Sequence, residues 1–124
     1  MIELDSVDGH PDGQIDIASR RLESGVVLVV TGEIDLATVP TVERELLHAE
    51  ESHDVVAIDL SKVSFIDSAG VHMIVAANRR LRERGGRLLI VQGPAQVSRL
   101  FELTGLSDYV EVVRDQTELE RSAD

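Results

Sequence analysis

The stretch Asp59-Leu60-Ser61-Lys62-Val63-Ser64-Phe65-Ile66-Asp67-Ser68-Ala69-Gly70 decides the fold. Val55 to Leu60 is strand-like, a short loop follows, and a helical pattern begins at Ser68. From Ser68 to Arg84, the residues Val71, Ile74, Val75 and Leu81 recur on one helical face. The last turns carry Arg79, Arg80, Arg82 and Arg84, which suit the negative end of the helix dipole, and Gly85-Gly86 stops the helix. Arg87 to Val91 is then another strand-like run. A strand, a crossover helix and a second strand make the unit of a parallel sheet with a right-handed connection.

Towards the N-terminus, Pro40 lies in the first turn of an expected helix with Thr38 as its cap. Val39, Val42, Leu46 and Ala49 share one face of it. Before it, Val26 to Thr31 is continuously apolar, as in a well-buried strand, and Ile15 and Ile17 alternate with polar residues. Glu23-Ser24-Gly25 between them is a turn signal, so the two strands pair antiparallel. Residues 1–13 are polar, and Asp8-Gly9-His10-Pro11-Asp12-Gly13 reads as turns or disorder, giving a flexible segment ahead of a domain over residues 14–121.

Towards the C-terminus, Pro94 starts a third helix with Val97, Leu100 and Phe101 facing inward. Gly105-Leu106 reads as a left-handed cap with its hydrophobic contact. Tyr109 to Val113 is expected as a last strand and Asp115 to Arg121 as a terminal helix. The order β-β-α-β-α-β-α-β-α predicts one α/β domain. Its four- to five-stranded sheet is mostly parallel, with an antiparallel N-terminal edge strand.

Composition narrows the function. The chain has 124 residues, enough for one core, with 43% hydrophobic residues but only 2% aromatic, so the core is aliphatic. A net charge of −11 repels nucleic acid and anionic membranes, and the scarcity of aromatics removes a base-stacking surface. The absence of Cys excludes disulfides, thiolate metal sites and cysteine nucleophiles. No apolar run approaches the ~20 residues of a membrane span. The acidic start Met1-Ile2-Glu3-Leu4-Asp5 does not resemble a signal peptide, so the expected compartment is the cytoplasm.

Sites in α/β folds gather outside the carboxyl ends of parallel strands, which directs attention to Ser68. A serine at a helix N-terminus is often only a cap. The same place suits a phosphate, because free N–H groups and the positive dipole end favour an anion. Asp67 and Asp35 would add to its negative charge. A hydrolase is disfavoured: Gly70 follows Ser68 by two, but Ile66 stands where a nucleophile elbow needs glycine, and His72 lies on the same helix. His48 and His53 are five apart rather than the i, i+4 of a helical zinc pair. Gly85-Gly86 lacks the following Lys-Ser or Lys-Thr of a phosphate loop. The acid-rich helix from Val42 to Glu51 and the arginines from Arg79 to Arg87 read as solvated faces. No enzyme activity, cofactor or metal is expected.

Asp59-Leu60-Ser61 followed by Phe65-Ile66-Asp67-Ser68-Ala69-Gly70 resembles the signature of the STAS domain, in its anti-sigma factor antagonist branch. Gly32-Glu33-Ile34-Asp35-Leu36-Ala37-Thr38 resembles the family segment after the second strand. Pro94 and the run Val97-Ser98-Arg99-Leu100-Phe101-Glu102-Leu103-Thr104-Gly105-Leu106 resemble the third helix and its turn. The resemblance implies helices mainly on one face of the sheet. It implies that the unphosphorylated protein binds an anti-sigma factor serine kinase and so frees a sigma factor for transcription. Phosphorylation of Ser68 by that kinase ends the interaction, and a metal-dependent serine phosphatase reverses it. Asp35, Thr38, Asp67, Ala69, Gly70 and His72 are then expected at the partner surface. Ala69 removes the second hydroxyl found in many relatives, and His72 departs from the small or basic residue expected at its position. The alternative within the family is an interaction subunit of a sensory or lipid-transport complex.

Overall fold

The computed structural model describes residues 4–9 and 15–123. The chain runs β1 (Leu4–Gly9), β2 (Ile15–Arg21), β3 (Val26–Ile34), α1 (Val39–Ser52), β4 (Val55–Ile66), α2 (Ser68–Glu83), β5 (Arg87–Val91) and α3 (Ala95–Thr104). A 3-10 turn (Leu106–Asp108), β6 (Glu111–Val113) and α4 (Gln116–Ala123) complete it. The sheet has the order β1-β2-β3-β4-β5-β6. The β1-β2 and β2-β3 pairs are antiparallel, and β3-β4, β4-β5 and β5-β6 are parallel.

This is the expected α/β class with one strand more than expected. The extra strand is β1, within the segment read as flexible; it pairs Val7 with Ala18 and Asp8 with Ile17. An edge strand is held by backbone hydrogen bonds on one side and needs no continuous apolar pattern. The rest of the expected turn, residues 10–13, lies outside the described residues, as do residues 1–3.

The pleat sends alternate side chains to two faces, which explains the apolar runs. Leu28, Val30, Ile58, Leu60, Leu88 and Ile90 pack on the side of α1, α2 and α3. Val27, Ala57, Leu89 and Val91 pack on the other side against Leu119 and Ala123 of α4. The helices therefore lie mainly on one face, with α4 alone on the other.

β4 is longer than Val55 to Leu60. It continues to Ile66 beside β3, pairing Lys62 with Thr31 and Ile66 with Ile34 after two register shifts. Val63 and Ile66 are buried at a spacing of three, so the shifts break the period-two pattern that marks a strand. Tyr109 falls outside the last strand, in the turn before β6. Gly105 closes α3 at φ +74°, the left-handed conformation its position predicted.

Two charged stretches read as solvated are partly structural. Glu50 of α1 is buried, and Arg80 of α2 grips both its carboxylate oxygens at 2.8 Å. Arg84 donates to the carbonyls of Glu50 and His53, fixing the end of α1 against α2. Arg87 and Glu111 form a bidentate pair at 2.7 and 2.9 Å between β5 and β6. The hydrogen bonds from Arg87 hold the Glu111 carboxyl below its usual range, against an opposing push from burial, and the charge of Arg82 helps.

Removing one partner of the α1-α2 pair should be asymmetric. The Glu50 side chain is 6% exposed and that of Arg80 is 34% exposed, so Arg80→Ala strands a buried carboxylate whereas Glu50→Gln leaves a guanidinium that reaches water. Denaturant unfolding should show a loss of about 3 kcal/mol or more for Arg80→Ala and clearly less for Glu50→Gln. Glu111 gives a pH test. A depressed carboxyl contributes stability above its unfolded pKa of about 4.3 and loses it as pH falls through the lower folded value. The thermal midpoints of wild type and Glu111→Gln should therefore differ slightly at neutral pH and converge in acid.

Candidate functional site

The site lies where β3 and β4 end side by side and α2 begins. Asp67 sits in extended conformation at this junction, and its N–H donates to the Ile34 carbonyl at 3.1 Å. Asp67 Oδ1 accepts from the backbone N–H groups of Ala69 at 2.9 Å and Gly70 at 3.2 Å, so Asp67 caps α2. Its Oδ2 accepts from Leu36 N at 3.3 Å, which ties the β3-α1 loop to the start of α2.

This corrects the reading of Ser68 as the cap. Ser68 is the first residue of the helix, is exposed, and its hydroxyl makes no hydrogen bond among the described residues. Both Asp and Ser favour cap positions, and of the two N–H groups that Ser68 would use as a cap, Asp67 takes that of Gly70 with its carboxylate and that of Val71 with its carbonyl. Three of the four backbone donors that would hold a phosphate at a bare helix start are thus already engaged.

The β3-α1 loop is satisfied from within. Asp35 Oδ1 accepts from Ala37 N and Thr38 N, each at 3.0 Å. Thr38 Oγ1 donates to the Glu33 carbonyl at 2.8 Å and accepts from Asp35 N at 2.9 Å. Thr38 stands at the cap of α1 as expected, but its side chain makes no capping bond because the hydroxyl is used in the loop.

The structure brings Asp35, Asp67, Ser68 and Ala69 to one junction and leaves His72 exposed one helical turn beyond Ser68. Thr38 and Gly70, expected at a partner surface, are buried. Thr38 braces the loop. A Cβ on Gly70 would come within 2.6 Å of Ile66 Cγ1 and 2.9 Å of Ile34 Cγ2, so glycine lets α2 start tight against the two strand ends.

Two residues escaped the sequence reading. Leu36 is 77% exposed on the loop bonded to Asp67, and Phe65 is 48% exposed two residues before that aspartate in β4. An apolar residue between Asp35 and Ala37 in a polar loop was a signal for Leu36. The outward turn of Phe65 follows from the register shift in β4 and has no sequence signal. Exposed large apolar side chains on a fixed frame are what a partner surface uses as anchors. No hydrogen bond joins His72 to Ser68 among the described residues. No group of three His, Cys, Asp or Glu side chains among the described residues is placed to hold a metal. No helix among them is long and apolar enough to cross a membrane.

Comparison with known proteins agrees with this geometry. The family model of the STAS domain matches residues 15–119. The anti-sigma-B factor antagonist of Listeria monocytogenes is 38% identical over 106 residues, covering 85% of this chain and 92% of that protein. The crystal structure of an anti-sigma factor antagonist from Mycobacterium paratuberculosis superposes with a TM-score of 0.80 at 25% identity, covering 94% of this chain and 98% of that one. The anti-sigma factor antagonist SpoIIAA in its unphosphorylated form shares the fold, with a TM-score of 0.72 at 20% identity over 86% of this chain and 95% of that one. Matched over most of its length, the chain belongs to the STAS domain family, in its anti-sigma factor antagonist branch.

Proposed function

We propose that this protein is a partner switch set by Ser68. Unphosphorylated, it binds an anti-sigma factor that is also a serine kinase, and the sigma factor is freed for transcription. The kinase transfers a phosphoryl group from ATP to the Ser68 hydroxyl, and the complex dissociates. A metal-dependent serine phosphatase removes the group. The protein acts in the cytoplasm, binds no nucleic acid or membrane, and turns over no substrate itself.

The observation that carries this reading is the Ser68 hydroxyl: exposed, unbonded, and relieved of capping by Asp67. A hydroxyl with no internal role can be modified without removing a contact from the fold. Around it, Leu36 and Phe65 supply apolar anchors, and Asp35, Asp67, Ala69 and His72 complete the contact surface. Thr38 and Gly70 serve it from below. A phosphate adds about −1.5 to −2 charge next to Asp67, and a partner docked there must desolvate it. The relatives' names describe antagonists of anti-sigma factors, and that of SpoIIAA records an unphosphorylated form.

The test is titration against the cognate anti-sigma kinase with nucleotide present. Phosphorylated protein should bind about a hundredfold more weakly than unphosphorylated, a loss of ~3 kcal/mol. Ser68→Ala should bind normally but resist phosphorylation, and Ser68→Asp should bind weakly. Leu36→Ala should lose about tenfold or more with its folding unchanged. Equal binding of both forms, or a phosphate mapped to Ser61 or Ser64, would refute the role of Ser68. The cap has its own test. Asp67→Ala removes two helix contacts and the tether to Leu36, and denaturant unfolding should show about 1–2 kcal/mol lost.

A further inference from the structure

We propose that His72 is the built-in counter-charge for a phosphate on Ser68 and makes the phosphorylated site pH-sensitive near neutrality. The inference rests on the reading of Ser68 as the phosphoacceptor.

It begins from what the helix start has left to offer. Of the first four N–H groups of α2, those of Ala69 and Gly70 are held by the Asp67 carboxylate, and that of Val71 donates to the Asp67 carbonyl at 3.1 Å. Only the N–H of Ser68 itself has no acceptor among the described residues. A phosphate there meets one backbone donor and an adjacent carboxylate, so side chains must supply the remaining compensation.

His72 follows Ser68 by four residues. Positions i and i+4 of a helix lie on one stripe, with Cβ atoms about 5–6 Å apart. Both residues are exposed, and His72 makes no hydrogen bond or ion pair among the described residues.

Other charges on the neighbouring elements do not replace it. On α2 the next cation is Arg79, eleven residues and about 16 Å along the axis from Ser68. Arg80 is committed to Glu50 of α1, and Arg87 at the start of β5 to Glu111. Lys62 of β4 lines a hollow with Arg20 and Asp59 on the α4 side of the sheet. On α1, Glu43 shares the field of Arg80. Asp35, Asp67 and, beside α2, Asp108 are anions and cannot take its place. Arg99, exposed on α3, is a competing cation.

The chemistry of the pair fixes the sign. The second ionisation of a phosphoserine lies near pH 6 and an ordinary histidine near 6.5, so the two titrate as a coupled pair. The dianion favours imidazolium, which raises the His72 midpoint. Imidazolium favours the dianion, which lowers the phosphate's second midpoint. Below neutrality His72 offsets part of the phosphate charge, and above neutrality the full negative charge faces an approaching partner.

The test uses the full chain with phosphoserine placed at position 68 during translation, compared with the Ser68 form. Installing the group directly separates this test from the question of which serine a kinase modifies, which mass spectrometry after kinase treatment answers. Proton-carbon NMR titration should place the His72 midpoint roughly 0.5 unit higher in the phosphorylated chain, with His48 and His53 moving less than half as far. Phosphorus NMR should show His72→Gln raising the phosphate's second midpoint by a similar amount and His72→Arg keeping it low. The proposal is overturned if His72 shifts no more than His53. It is also overturned if His72→Gln leaves the phosphate unchanged, or if Arg99→Gln raises its midpoint as much as His72→Gln does.

Discussion

The Asp67 carboxylate is shared between two parts of the chain, and the architecture of the site follows from that sharing. One oxygen closes the N-terminus of α2, the other takes the Leu36 N–H, and the residue's own N–H continues the bonding of β4 to the end of β3. A strand end, a loop and a helix start are fixed by one side chain. Its occupation of the helix donors keeps the neighbouring serine from folding inward to do the same task. Gly70 is the steric complement, because any Cβ there would push α2 off Ile66 and Ile34 and carry Ser68 with it.

The ground behind the site is stiff for separate reasons. The α1-α2 interface carries a buried bidentate ion pair, and Arg84 secures the end of α1 through its last carbonyls. The loop carrying Leu36 has its polar groups satisfied by Asp35 and Thr38 before any partner arrives. Apolar side chains held outward on such a frame need little ordering on association, and ordering is one of the main costs of forming a protein interface.

The alternation of strands and helices was legible because apolar runs and helical periodicity survive in sequence wherever an element faces a core. β1 was not legible, since its backbone pairing with β2 leaves no required apolar pattern. The extension of β4 was hidden by its register shifts, which place buried Val63 and Ile66 three apart. The position of the site was readable from a strand ending before Ser68, yet its inner workings were not. Asp67 and Ser68 are adjacent and both favour cap positions, and only the backbone geometry assigns the cap. Glu50 looked like one acid among several on α1. Its burial depends on Arg80, thirty residues on, a relation that no local pattern contains.

The cap also bears on how a modification at this place can act. A bare helix N-terminus would welcome a phosphate, and modification would then tighten the fold as well as alter the surface. Here Asp67 holds three of the four donors that would provide that gain, so adding the group offers the folded state little. Removing it costs the folded state little for the same reason, because the Ser68 hydroxyl contributes no hydrogen bond. A group that is nearly neutral for folding can change only what the surface presents: charge, bulk and hydration beside Leu36. A modification of that kind would need no local unfolding to be added or removed. That property follows from giving the capping task to the residue before the serine instead of to the serine itself.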